Sequence, residues 1–179
     1  MKDREVLVGV TGGIAAFKTA ALVSQLVQQD ARVTVVMTAS ARHFVGENTF
    51  AALTGRPVAT DLFSPIQHPL GAHIELARRA DVLCVAPATA NFFAYAATGA
   101  ANDLLSTIYL CFSGPVLVAP AMNREMWEKP AVQRNVKQLG KDGVTIIDPE
   151  EGWLSCRQSG AGRMANPDVI LKAIADALA

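Results

Sequence analysis

Short apolar runs rich in β-branched residues recur along the chain, at Glu5 to Val10, Arg32 to Met37, Val82 to Ala86, Val116 to Ala119 and Val144 to Ile147, with helical stretches between them. That alternation predicts a parallel sheet covered on both faces. A first helix is expected from about Ile14 to Gln29, where Phe17, Ala21, Leu22 and Leu26 repeat at helical spacing before Asp30 ends it. Pro130 suits the first turn of a second helix that runs through Val132 and Val136 to a stop at Gly140, and a last helix should follow Asn166 and Pro167. Two segments read as irregular, Thr60 to Gly71 with Pro65 and Pro69, and Pro149 to Gly162. With no repeat, low-complexity tract or linker, the expected fold is a single-domain three-layer α/β/α unit over residues 1–179, with a doubly wound parallel sheet of Rossmann-like type.

Composition narrows the partner. Sixteen basic residues balance sixteen acidic ones in 179, so no net field draws the chain to nucleic acid or to an anionic membrane, and a small molecule is the expected ligand. The opening MKDREVLVGV passes directly into a strand without a signal-peptide core, which predicts a cytoplasmic protein. Cys84, Cys111 and Cys156 are odd in number and lack C-x-x-C spacing, so neither a disulfide framework nor a metal site is expected. Cys84 in VLCVA reads as core, and Cys111 is expected there too. Cys156 stands in polar, Gly-rich surroundings that suit an exposed, reactive thiol.

The stretch GVTGGIAAFKTA, Gly9 to Ala20, brings chemistry into the picture. Read from Gly12 it meets the P-loop pattern G-x-x-x-x-G-K-[ST] everywhere except at Phe17, which stands where the second glycine belongs. No aspartate closes the fourth run, which ends in Pro120, so the magnesium ligand of a nucleotide triphosphatase is missing as well. A dinucleotide site would want G-x-G-x-x-G here and an acidic residue after the second strand, where Thr38-Ala39-Ser40 stands instead. A glycine turn opening a helix remains, which either lets strand and helix pack closely or, through its free N–H groups and positive dipole end, favours an anion. The small and hydroxyl-bearing residues of APATANFFAYAATGAANDLLST, after the third run, would let a flat ring approach the backbone.

After the fourth run stands PAMNREMW, Pro120 to Trp127. The pattern P-x-M-N-x-x-M-W, together with GGIAAFK, APATAN and the histidine of GAHIELARRADVLCVAP, resembles the flavin-containing cysteine decarboxylases, from Leu7 to about Pro167. The resemblance implies FMN as cofactor, its phosphate end held by Gly12, Gly13, Ile14, Thr38 and Ser40, and its ring and ribityl parts by Thr89, Ala90 and Asn91. Ala121 and Met122 would approach the flavin, and Asn123 would hydrogen-bond the carboxylate of a cysteine substrate. An amide suits that task because it donates without lending the carboxylate a fixed positive charge that would hinder loss of carbon dioxide. His73 matches the family's histidine and would act as general base, whereas His43 and His68 read as surface or packing residues.

By the same resemblance, residues 149–163 would form a mobile lid, with Trp153 and Ser155 touching substrate and Cys156 donating a proton. Where the family more often carries L-A-C-G, this chain reads Leu154-Ser155-Cys156-Arg157. The implied reaction is decarboxylation of 4′-phosphopantothenoylcysteine to 4′-phosphopantetheine in coenzyme A biosynthesis. A peptidyl-cysteine oxidative decarboxylase would stop at the enethiol and have no use for Cys156, a flavin prenyltransferase would lack P-x-M-N-x-x-M-W, and a flavin-binding phosphatase regulator would often carry an acidic tail. The resemblance further implies a homotrimer or an assembly of trimers, a possible separate synthetase as partner, and Lys18 and Arg163 as candidates for the substrate phosphate.

Overall fold

A computed structural model describes residues 1–63, 69–153, 155, 157 and 159–179. In chain order the elements are β1 (Glu5–Val10), α1 (Ala16–Gln28), β2 (Arg32–Met37), α2 (Glu47–Thr54), α3 (Ala72–Arg79), β3 (Val82–Ala88), α4 (Ala90–Thr98), α5 (Leu104–Cys111), β4 (Val116–Pro120), α6 (Arg124–Trp127), α7 (Pro130–Lys141), β5 (Thr145–Ile146), β6 (Glu150–Trp153), β7 (Ser159–Arg163) and α8 (Pro167–Ala177). Strands one to five form a parallel sheet in the order β2-β1-β3-β4-β5.

Alternation along each strand sorts the apolar side chains into two cores. Val6, Val8 and Val10 of β1 join Cys84, Leu117, Leu22 and Leu26 of α1 and Ile170 and Ile174 of α8 on one face. Leu7, Leu83, Val85 and Val118 meet Phe92 and Phe93 of α4, Leu105 and Ile108 of α5 and Leu76 of α3 on the other. The result is the expected three-layer arrangement. Its strand order reverses between β1 and β3, which opens a crevice at their carboxyl ends.

The first helix begins two residues later than expected, because 11–15 form a turn in which the Gly13 N–H bonds to the Thr11 carbonyl. Its buried stripe is Ala16, Thr19, Leu22, Val23 and Leu26, so Phe17, expected on that stripe, is instead 62% exposed. Residues 149–162, expected to be irregular, hold the antiparallel hairpin β6–β7. It escaped the hydrophobic pattern because its strands, EEGW and SGAGR, pack by close backbone approach rather than by apolar alternation. A Cβ at Gly162 (φ +124°) would meet the Met122 carbonyl oxygen at 2.3 Å, and one at Gly160 would strike the Arg124 side chain at 2.6 Å. Cys111, expected in the core, is exposed at the last turn of α5, where its thiol faces the Thr107 carbonyl at 3.1 Å. Cys84 is buried as expected, and burial pushes its thiol up to about 12.

Asp103 caps α5 by a reciprocal pair: its carboxylate accepts from the Ser106 N–H at 2.7 Å, and its own N–H donates to the Ser106 hydroxyl at 3.0 Å. Asp103→Ala is expected to lower stability by about 0.5–2 kcal/mol, read as a shifted midpoint of chemical denaturation with unchanged slope.

Candidate active site

The loops after β1, β2, β3 and β4 converge on two adjoining clefts of about 490 and 430 Å³ that share Gly12, Thr89, Ala90 and Met126. The larger also takes in Gly13, Ile14, Ala121, Met122, Asn123, Trp153 and Ser155; the smaller takes in Thr38, Ser40 and Asn91. Every residue expected to hold the flavin or the substrate therefore lines one cleft or the other. Of the two expected catalytic residues, His73 lines neither cleft, and Cys156 lies outside the described residues, as does His68. His43 is exposed, as expected.

The first wall of the site is the β1–α1 turn. Among the described residues, the N–H groups of Gly12, Ile14 and Ala15 have no hydrogen-bond acceptor within the chain. They sit at the start of a 13-residue helix that lacks a side-chain cap. Unpaired amides at that dipole end make a cradle for a mono-anionic or dianionic group. Gly12 is pressed so closely on the β2 loop that a Cβ there would lie 2.3 Å from the Ser40 Cβ and 3.0 Å from its carbonyl carbon. Close contact brings the hydroxyls of Thr38 and Ser40 to the same cleft as Gly12, while Ile14 and Ala15 line the adjoining larger one. The buried Thr11 hydroxyl donates to the Pro87 carbonyl at 2.7 Å and accepts from the Thr89 N–H at 3.1 Å, tying the first wall to the third.

Asn123 caps α6, and its Oδ1 accepts the Met126 N–H at 2.8 Å. With the oxygen so committed, the Nδ2 amide is the group it presents to a ligand, a donor that suits a carboxylate. The Met122 N–H donates to the Gly162 carbonyl at 3.0 Å, which fastens the P-x-M-N loop to β7. Lys18 reaches across the floor to the Met164 carbonyl at 2.9 Å. Burial and the nearby Arg163 lower its pKa, while Glu150 opposes them; Arg163 itself stands 3.9 Å from Glu150.

His73 lies in the first turn of α3, across the sheet from α1. Its Nδ1 is buried and has no hydrogen-bond partner among the described residues. Sequence reasoning passed over Phe17, Met126 and Gly162 in the larger cleft, and Tyr95, Asn102 and Asp103 in the smaller. Met126 stands three residues beyond Asn123 and Tyr95 four beyond Asn91, spacings that place each pair on one helical face. Around the larger cleft, Ile14, Phe17, Met126 and Trp153 are all exposed apolar side chains. Among the described residues there is no group of His, Cys, Asp and Glu able to hold a metal ion.

A parallel sheet with a switch-point crevice, an uncapped glycine turn and a hydroxyl-lined second wall define a flavoprotein. The chain belongs to the Flavoprotein family, whose model matches residues 1–179. Among curated proteins it is similar to the coenzyme A biosynthesis bifunctional protein CoaBC of Bacillus subtilis, 46% identical over 172 residues that cover 96% of this chain and 42% of that protein. The protein of the same name from Haemophilus influenzae is 41% identical over 98% of this chain and 44% of its own length. The chain thus spans about two fifths of the curated relatives it matches. Among solved structures it resembles a PPC decarboxylase mutant complexed with pantothenoylaminoethenethiol, 32% identical with a TM-score of 0.85 over 97% of both chains. It also resembles the FMN-dependent cysteine decarboxylase SpaF, 37% identical with a TM-score of 0.83 over 98% of both.

Proposed function

We propose that this chain catalyses the FMN-dependent decarboxylation of 4′-phosphopantothenoylcysteine to 4′-phosphopantetheine in coenzyme A biosynthesis. The observation that carries the reading is one continuous pair of clefts in which an amide cradle for a phosphate, a hydroxyl wall and the Asn123 amide stand together. The donor set fits FMN. The unpaired N–H groups of Gly12 and Ile14, with Thr38 and Ser40, suit its phosphate, and Gly13, Thr89, Ala90, Asn91 and Ala121 leave small-walled space for its ring and ribityl chain.

When bound, FMN supplies the two-electron oxidation of the substrate's thiol-bearing carbon and later returns the hydride. The chain's own residues handle position and protons. His73 takes the thiol proton as the side chain becomes a thioaldehyde. Asn123 Nδ2 holds the carboxylate until carbon dioxide departs and an enethiol remains. Cys156 then donates the proton that, with the returned hydride, saturates that carbon pair. Trp153, Ser155 and Met122 hold the substrate against this wall, and residues 149–163 serve as its lid over a single domain. In net terms the carboxylate is replaced by hydrogen and the flavin is unchanged.

This reading makes a homotrimer, or an assembly of trimers, part of the mechanism. His73 lines neither cleft of its own chain, and the exposed Ile14, Phe17, Met126 and Trp153 offer the larger cleft's rim to a second copy, whose His73 would complete it. A cytoplasmic location belongs to the same reading; no described helix is long and apolar enough to cross a membrane. So does a phosphopantothenoylcysteine synthetase, in the same polypeptide or a separate one, as the source of substrate.

The test is turnover by the purified flavin-loaded protein of phosphopantothenoylcysteine beside a peptide ending in cysteine. Release of carbon dioxide and formation of 4′-phosphopantetheine from the first is expected; preference for the peptide overturns the assignment. Cys156→Ser is expected to release carbon dioxide yet accumulate the enethiol, and an undiminished yield of 4′-phosphopantetheine would remove Cys156 from the mechanism.

A further inference from the structure

A third cleft, of about 260 Å³, opens away from the flavin site between β2, the segment after α2 and the end of α3. Two guanidinium groups line it. Arg56 is bidentate on Glu5, at 2.7 and 3.1 Å, and also donates to the Thr34 hydroxyl at 3.0 Å. Arg79 donates to that same hydroxyl at 2.8 Å and stands 3.7 Å from Glu5. One buried threonine oxygen thus draws two cations together, and the Glu5 carboxylate faces both. Asp81 is engaged elsewhere, accepting the Glu5 N–H at 2.8 Å with Arg4 at 3.9 Å, and does not line the cleft.

Taken together, Arg56, Arg79 and Glu5 carry one positive charge in excess, and contacts among the described residues leave several N–H donors unspent. A guanidinium carries five donors, and these contacts use three from Arg56 and one from Arg79. The rest of the lining is Pro57, Val58, Ala59 and Leu76, apolar walls that exclude a bulky hydrated cation and raise the worth of a charge-assisted bond. Arg56 is held in place by its own backbone, whose N–H donates to the Thr54 hydroxyl at 3.2 Å beside the left-handed Gly55. Arg79 ends α3, the eight-residue helix that carries His73 in its first turn, roughly 9 Å away along the axis.

We propose that this cleft is a binding site for a small oxyanion of phosphate type, clamped between Arg56 and Arg79, separate from the flavin and substrate clefts. The ligand is inorganic phosphate or the phosphoryl end of a small phosphomonoester, for which the volume leaves room; a whole nucleotide is too large.

The experiment is calorimetric titration of the FMN-loaded protein, whose cofactor cradle is already filled, with inorganic phosphate and separately with glycerol 3-phosphate at constant ionic strength. The wild type is expected to bind, and Arg79→Gln to weaken binding by at least about tenfold, with circular dichroism unchanged and Arg79→Lys intermediate. Lys172→Gln, on the exposed face of α8 and in none of the three clefts, should bind as the wild type does. Binding of the phosphomonoester as well as phosphate identifies the phosphoryl end as the recognised group, and binding of phosphate alone identifies the free ion. No binding of either probe, equal affinity in Arg79→Gln, or an equal loss in Lys172→Gln overturns the site without touching the decarboxylase reading, which stands on carbon dioxide release.

Discussion

His73→Asn is expected to lower turnover of phosphopantothenoylcysteine by about 10²–10⁴-fold while the purified protein stays yellow. The substitution keeps a side chain of similar reach with a polar nitrogen but removes the base that would take the thiol proton. Flavin retention should be untouched, because none of the amides or hydroxyls of the two clefts comes from α3. A second measurement separates loss of chemistry from loss of fold. If a neighbouring copy supplies His73, then a mixture of His73→Asn and Asn123→Ala chains, each nearly inactive alone, should regain activity at about one site in four after subunits exchange. A mixture that stays inactive while forming mixed trimers would place His73 outside the shared site. A variant with wild-type turnover would remove it from catalysis altogether.

The second large effect is expected at Gly12. Any Cβ there falls 2.3 Å from the Ser40 Cβ and 3.0 Å from its backbone carbonyl carbon, so Gly12→Ala must push two loops apart. Overpacking of this kind costs about 1–3 kcal/mol. The larger consequence is local, since the displaced groups are the free N–H of Gly12 and the Ser40 hydroxyl, both expected at the flavin phosphate. Gly12→Ala should therefore purify without flavin absorbance and without decarboxylase activity. Adding Ser40→Gly removes the nearer atom but not the backbone contact, so partial flavin recovery is expected. Full flavin content in the single variant would show that the cofactor does not depend on this turn.

The sheet was readable in the sequence because burial on both faces writes itself as apolar runs. Strands β1 and β2 fall at the expected limits, and β3 and β4 run one or two residues longer, into Ala88 and Pro120. The helix α1 was readable as an element but not in orientation, since Phe17 and Ala16 are adjacent and only packing decides which of them faces inward. The residues around the two clefts were legible through motifs whose glycines and hydroxyls the fold does bring together. The hairpin was not, because Gly160 and Gly162 are chosen for the backbone and side chain that press on them, a constraint with no hydropathy signature. Cys111 looked apolar among Leu110 and Phe112, yet its place at the last turn of α5 turns it outward. The Arg56–Glu5–Arg79 cluster joins residues 51 and 74 positions apart on β1, α3 and the segment after α2, and no local pattern marks it.

The Thr11 hydroxyl has a consequence for ligand affinity. Because it gives a hydrogen bond to Pro87 and takes one from Thr89, it sets the distance between the glycine turn and the third-strand loop from inside the protein, without help from any ligand. The two loops then have little conformational freedom left to surrender when a cofactor enters, and such preorganisation turns contact energy into affinity instead of into loop ordering. Each half of that strut is a neutral hydrogen bond of modest worth, yet it spans the mouth of the switch-point crevice, where a small change in width is felt along the whole length of a flat ring.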